Sequence, residues 1–228
     1  MRLIFIRHAE SLANIEGRYQ GRGDYDLSDC GRQQAEQLSR RFTREQLSPT
    51  QIYSSPLRRA METAEIVCRN WNLAIEPLHD LIEYDVGAFT GLTWPDIVSR
   101  HPAMAEAFQV SRDWDSVDHV EPISQRHDRA ARVVETIIDR HMEQDVVLCF
   151  SHGGILQHVI SVLLGADRIW GIPVRNTGVF DFSLDKKVWS SQGRDRFNTK
   201  HCSILAFNDA NHLSVVMDIE TASSADEA

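Results

Sequence analysis

Met1-Arg-Leu-Ile-Phe-Ile-Arg-His-Ala-Glu10 opens the chain with four apolar residues, Leu3 to Ile6, that no polar residue interrupts. Such a run fits a strand buried on both faces of a parallel sheet, although periodicity alone leaves a helix open. Arg7, His8 and Glu10 follow at once. In an open α/β sheet, ligands bind just beyond the carboxyl ends of the strands. A cation beside an imidazole at that edge is a candidate site for binding and attacking an anion. Taken alone, an Arg-His pair after a strand is more simply two solvated residues. The rest of the chain decides whether the pair has partners.

The chain has 228 residues, is 42% hydrophobic and carries a net charge of −9. That length fits one large domain with a sizeable core. The negative charge gives no footprint for nucleic acid or an anionic membrane, so any anion site must be local. Cys30, Cys68, Cys149 and Cys202 are widely spaced and contain no C-x-x-C pair, so neither a zinc site nor a redox motif is indicated. The N-terminal apolar run is too short for a signal peptide, and no stretch approaches the roughly 18 apolar residues of a membrane span. The expectation is a reduced, cytoplasmic protein with no nucleic-acid or membrane partner. Oligomeric state is not readable.

Residues 11–30 are polar and rich in turn formers, and read as a loop in which Arg18, Gln20 and Arg22 suit phosphate or sugar oxygens. Ser28 caps an expected helix with Ala35, Leu38 and Phe42 on one face, ended by Ser48-Pro49. Gln51 to Ser54 reads as a strand. Ser55-Pro56 reads as a cap followed by proline in the first turn of a helix. Its stripe is Leu57, Ala60, Met61, Ala64, Val67 and Cys68, with Arg58 and Arg59 off it. Two arginines in a first turn oppose the helix dipole unless an anion is bound nearby.

A short strand near Ala74–Glu76 precedes Glu83, which stands ahead of a glycine-punctuated loop. Thr93 caps a helix running to Arg100 and stopped by Pro102, and residues 103–122 read as a partly helical cover. A long helix follows, with His127, Ala130, Ala131, Val134, Ile137, Ile138 and His141 assigned to one face. Val146 to Phe150 is a second buried strand, ending in Ser151-His152-Gly153-Gly154 and a helix from Ile155 to Leu164. This repeats the opening design of a histidine at a strand's carboxyl end. Pro173 to Gly178 turns around Asn176. Phe180, Phe182 and Leu184 alternate as a strand, and Cys202–Phe207 with Leu213–Ile219 reads as a hairpin. Residues 185–201 read as a solvated polar loop, and residues 221–228 as a disordered tail.

Five motifs in this order resemble the histidine phosphatase superfamily, also called the phosphoglycerate mutase-like family. They are Arg7-His8-Ala9-Glu10 with Ser11 and Asn14; Gly17-Arg-Tyr-Gln-Gly21 with Asp24 and Leu27 to Gly31; Ser54-Ser-Pro-Leu-Arg-Arg-Ala60 with Thr63-Ala64; Glu83 with Gly87, Gly91 and Leu92; and Ser151-His-Gly-Gly154. The resemblance runs from residue 2 to about 164. It implies an α/β three-layer sandwich, with a mainly parallel central sheet flanked by helices and a small helical cap insertion at about 93–125. One domain then spans 1–220.

The resemblance further implies that His8 is the nucleophile and that Arg7, Arg59 and His152 hold the phosphoryl group. Glu83 matches the proton donor, and Asn14, Gln20 and Gly21 match substrate-contacting positions. Ala9 and Ser11 stand where glycine and threonine are commoner, which removes neither charge nor nucleophile. The residue types suit the chemistry: arginines and a protonated histidine neutralise a phosphoryl group without a metal or cofactor, and nearby positive charge keeps the attacking imidazole neutral.

The expected activity is hydrolysis of a small phosphorylated metabolite through a phosphohistidine. Mutases of the family carry a longer middle segment with paired arginines; residues 96–125 hold only isolated Arg100 and Arg112, which favours the phosphatase branch. A cofactor-dependent phosphoglycerate mutase is the alternative. A non-catalytic phosphate-binding module and a metal hydrolase come after it, the latter because arginine beside the ligands would repel a cation.

Overall fold

In the computed structural model, which describes residues 1–166, 168–169, 171–189 and 202–213, the opening run is a strand. β1 (Arg2–Arg7) sends Leu3 and Phe5 into one apolar cluster and Ile4 and Ile6 into another on the opposite face. A period of two with both faces covered excludes the helical reading. All four side chains are at most 1% exposed, so each contributes about 1.5–3 kcal/mol of burial.

The chain continues through α1 (Leu12–Ile15), α2 (Asp29–Arg44), β2 (Gln51–Ser54), α3 (Arg58–Cys68) and β3 (Ile75–Pro77). Then come α4 (Trp94–Arg100), α5 (Pro102–Ser111), α6 (Ile123–Arg140), β4 (Val146–Ser151) and α7 (Gly153–Leu163). β5 (Val179–Leu184), α8 (Lys186–Trp189) and β6 (Cys202–Asp209) complete the α-helices and strands among the described residues. The sheet order is β3-β2-β4-β1-β5-β6. The first four of these strands run parallel, β5 runs antiparallel to β1, and β6 antiparallel to β5. Helices α2 and α3 cover one face and α6 and α7 the other, giving the three layers expected. Among the described residues no helix is long and apolar enough to cross a membrane.

Residues 94–117 pack a third cluster, in which Ile97, Ala105 and Phe108 meet Val86 and Phe89. Thr93 caps α4 through a reciprocal box with Asp96, and Pro102 both ends α4 and opens α5.

Several local expectations need correction. The loop 11–30 contains α1, capped by Ser11. Helix α2 ends at Arg44, four residues before Ser48, where Glu45 closes the last turn. Ser55 does not cap α3; the helix starts at Arg58, Leu57 supplies no side-chain cap, and the Ser55 hydroxyl is committed elsewhere. Arg59 lies on the buried face of α3, 1% exposed. The buried face of α6 is Arg126, Arg129, Ala130, Val133, Val134, Ile137 and Ile138, so His127 and Ala131 lie to its side. His141 is already beyond the helix, within 3.0 Å of the Tyr53 hydroxyl. In both helices, buried arginines that donate to backbone carbonyls of other segments occupy positions that a polarity count assigns to solvent. β6 pairs with β5; residues 214–219, its expected partner, lie outside the described residues, as do most of the 185–201 loop and the 221–228 tail.

Candidate active site

The β1–β4 register brings the two strand-end histidines together. Arg7 pairs with Ser151, so His8 and His152 are the next residues along two adjacent parallel strands. Their rings lie 5.2 Å apart between centroids. β2 ends beside them, and Ser55 Oγ lies 2.7 Å from His152 Nε2. Because β5 runs antiparallel to β1, the turn leading into it also arrives at this edge. Asn176 Nδ2 donates to the His8 carbonyl at 3.0 Å, and Arg7 Nη1 donates to the Val174 carbonyl.

His8 Nδ1 lies 2.7 Å from the Ala9 carbonyl, an acceptor without a proton. Nδ1 therefore carries the hydrogen of the neutral ring and Nε2 the lone pair. Burial, then the charges of Arg59 and Arg7, push the His8 pKa well below its ordinary value. His152 is lowered in the same way, by burial first and Arg59 next. In the pocket without an anion, two buried guanidiniums therefore oppose a third cation at His152.

Arg59 reaches under the polar loop, donating through Nη1 to Gly23 O at 2.7 Å and Nη2 to Gly21 O at 2.9 Å. Burial pushes its pKa down to about 10, and Arg7 is lowered by burial too. Arg58 is not part of the pocket; it is exposed and pairs with Asp26 at 2.6 Å. The buried atoms Arg7 Nε, Arg59 Nε and His152 Nδ1 have no hydrogen-bond partner among the described residues. Buried polar groups are almost always bonded, because an unpaired one costs about 1–3 kcal/mol. Unpaired groups of this kind in one neighbourhood are what a multi-oxygen anion satisfies.

Glu83 sits across from the histidines. Its Oε2 accepts from Gly154 N at 2.9 Å and its Oε1 from Ile155 N at 2.8 Å, so it caps the N-terminus of α7. Gly154 is required there, since a Cβ would lie 2.1 Å from the Tyr84 ring and 2.7 Å from Glu83 Oε1. Asn14 and Gln20 turn their carboxamide oxygens to Ser11, leaving their NH2 groups as donors. These residues, with Gly21, line one cavity of about 910 Å³ together with Arg7, His8 and Arg59.

All eight residues singled out in the sequence therefore converge at the carboxyl edge of the sheet. Ser55, Asn176 and Tyr84 were not assigned to the site. By sequence Ser55 is a cap and Asn176 a turn residue, and only the strand order reveals where they lie. Among the described residues no group of three or more His, Cys, Asp or Glu could hold a metal ion.

The lowered histidine pKa values have a sign for stability. Between the folded and unfolded values the unfolded chain binds more protons, so stability rises with pH and is complete above about 6.5. His158, buried beside Tyr84 and lowered to about 4, acts in the same direction. The melting temperature is expected to fall by about 5 °C or more as pH drops from about 6.5 to 5. A flat profile over that interval in differential scanning calorimetry would show that these rings protonate freely in the folded state.

Residues 3–195 match the sequence profile of the histidine phosphatase superfamily, branch 1. Phosphoserine phosphatase 1 of Hydrogenobacter thermophilus is 34% identical over 195 residues, covering 82% of this chain and 88% of that protein. Phosphoglycerate mutase-like protein 4 of Arabidopsis thaliana is 32% identical over 157 residues, covering 68% and 67%. Among solved structures, Bacillus stearothermophilus YhfR superposes with a TM-score of 0.78 at 28% identity, covering 93% of this chain and 99% of its own. With the profile spanning most of its length and these relatives aligned along it, the chain belongs to the histidine phosphatase superfamily.

Proposed function

We propose that the protein is a phosphate monoester hydrolase that works through a phosphohistidine on His8, without a metal, on a small phosphorylated metabolite. The observation that carries this reading is the pairing of a neutral His8, lone pair on Nε2, with the unpartnered buried Nε–H groups of Arg7 and Arg59 and the unpartnered Nδ1 of His152. In the first step Nε2 attacks phosphorus while the two guanidiniums neutralise the equatorial oxygens. Binding of a dianion offsets the positive charge that depresses His152, so its ring can take a proton and become a third donor. Glu83 acts as the general acid and gives a proton to the departing alcohol oxygen. Its carboxylate then takes a proton from the water that cleaves the phosphohistidine, and the site returns to its starting state.

The relatives named phosphoserine phosphatases put an O-phospho amino acid first among substrates to be tried. The mutase alternative draws on another relative's name, but Arg100 and Arg112 do not line the cavity, whose further cations among the described residues are Arg18 and Arg175.

Rapid acid–base quench with 32P-labelled phosphoserine tests the reading. The expected label on His8 is stable in alkali and lost in acid, and turnover in EDTA is undiminished. Turnover abolished by EDTA with no trapped label would replace this reading with a metal hydrolase. Interconversion of 2- and 3-phosphoglycerate only when primed by the bisphosphate would replace it with a mutase, and phosphate binding without turnover with a binding module.

A further inference from the structure

Away from the cavity, α6 buries two arginines that the proposed chemistry does not use, and one of them faces a buried carboxylate. Glu121 is 8% exposed and Arg129 5% exposed, and neither lines the cavity. Arg129 meets Glu121 as a fork, Nε to Oε1 at 2.9 Å and Nη2 to Oε2 at 2.8 Å. A buried pair of this kind adds little net stability over an apolar pair of similar volume. Its remaining hydrogen bonds show what it holds.

Arg129 Nη1 donates to the carbonyls of Asp80, at 2.9 Å, and Ile82. Glu121 Oε2 accepts from Asp85 N at 3.3 Å, and Glu121 N donates to Asp85 O at 3.0 Å. Arg126 stacks on the Tyr84 ring, 4.3 Å from its centroid, and donates to the Glu121 carbonyl. The backbone is thus gripped on both sides of Glu83, and the ring of the residue after it is clamped. Glu121 Oε2 also accepts from Arg22 Nη2 at 3.1 Å. Arg22 lies between Gly21 and Gly23, whose carbonyls hold Arg59.

We infer that the buried Glu121–Arg129 pair is a positioning device for Glu83, fixing its carboxyl group relative to the leaving oxygen. The inference rests on the acid–base role proposed for Glu83. A displacement of about 1 Å in a reacting group can cost on the order of 100-fold in rate. The loss must appear where proton donation matters. Phosphoserine releases a poor alkoxide leaving group and needs the proton, whereas p-nitrophenolate departs well without it.

Glu121→Gln and Arg129→Lys are expected to lower kcat/KM, which reports the steps up to departure of the alcohol and not the later hydrolysis of the phosphohistidine, about 10- to 100-fold on phosphoserine while kcat/KM on p-nitrophenyl phosphate stays within about threefold. Retained p-nitrophenyl phosphate turnover also reports that the variants fold. Arg22→Met, on the half-exposed arm of the network, is expected to give the same split at about three- to tenfold and serves if the buried variants do not fold. Equal losses on the two substrates, or none on either, would overturn the inference. Glu83→Gln is measured alongside. If it shows no split, the acid–base reading of Glu83 itself fails; if it does and the network variants do not, only the positioning inference fails.

Discussion

His8→Ala is expected to lower kcat on p-nitrophenyl phosphate by at least about 10⁴-fold, equivalent to about 5.5 kcal/mol of transition-state stabilisation. Neighbouring groups cannot take over the attack. His152 is the only other imidazole in ring contact with His8 among the described residues, and its Nε2 is engaged with Ser55 Oγ at 2.7 Å. Binding should survive, because Arg7, Arg59 and His152 remain. Isothermal titration of inorganic phosphate should therefore give a Kd within a few-fold of the wild type. Hydrolysis by His8→Ala at the wild-type rate would remove the central assignment, and loss of both binding and turnover would recast His8 as a residue that shapes the pocket.

The second large effect is expected at Arg59. Arg59→Met should reduce kcat/KM about 10³-fold, since a preorganised cation on the transferring phosphoryl group contributes on the scale of an oxyanion-hole donor or more. Two further consequences distinguish the site from a simple loss of charge. Gly21 O and Gly23 O lose their donor, so the loop carrying Gln20 should loosen and KM should rise with the fall in kcat. Arg59 is also the largest electrostatic contribution lowering the His8 pKa, second only to burial. Its removal should therefore move the acid limb of the rate profile to higher pH. The neighbouring Arg58→Met should stay within about twofold of wild type, because Arg58 is exposed and paired with Asp26. Equal losses at both positions would mean that general positive charge, rather than this guanidinium, carries the effect.

The parallel strands and their histidines were legible because both signals are local: an uninterrupted apolar run, then polar chemistry at its end. Arg59 was legible as a site residue only through the resemblance. Its burial was not, since counting it as polar placed it off the stripe of α3. The same rule misplaced the buried face of α6, where Arg126 and Arg129 sit inward. What makes those positions affordable is Glu121, eight residues before Arg129 but beyond the start of the helix, and the carbonyls of Asp80 and Ile82, which lie 49 and 47 residues away where no local pattern reveals them. Ser55 shows a different limit. A serine before proline is a good helix cap by composition, yet its hydroxyl faces His152 because β2 ends beside β4.

The in-phase register of β1 and β4, Arg7 opposite Ser151, has a consequence for how the protein acquires its activity. The two histidines come from segments that meet only when the sheet's centre is zipped, after most of the chain is available. Contacts of such long sequence separation form late and slowly. A slip of a single residue would turn one histidine to the opposite face of the sheet, leaving a compact chain with no reaction centre. Regain of turnover after dilution from denaturant is thus a direct clock for correct β1–β4 alignment, and should lag behind the recovery of helical signal.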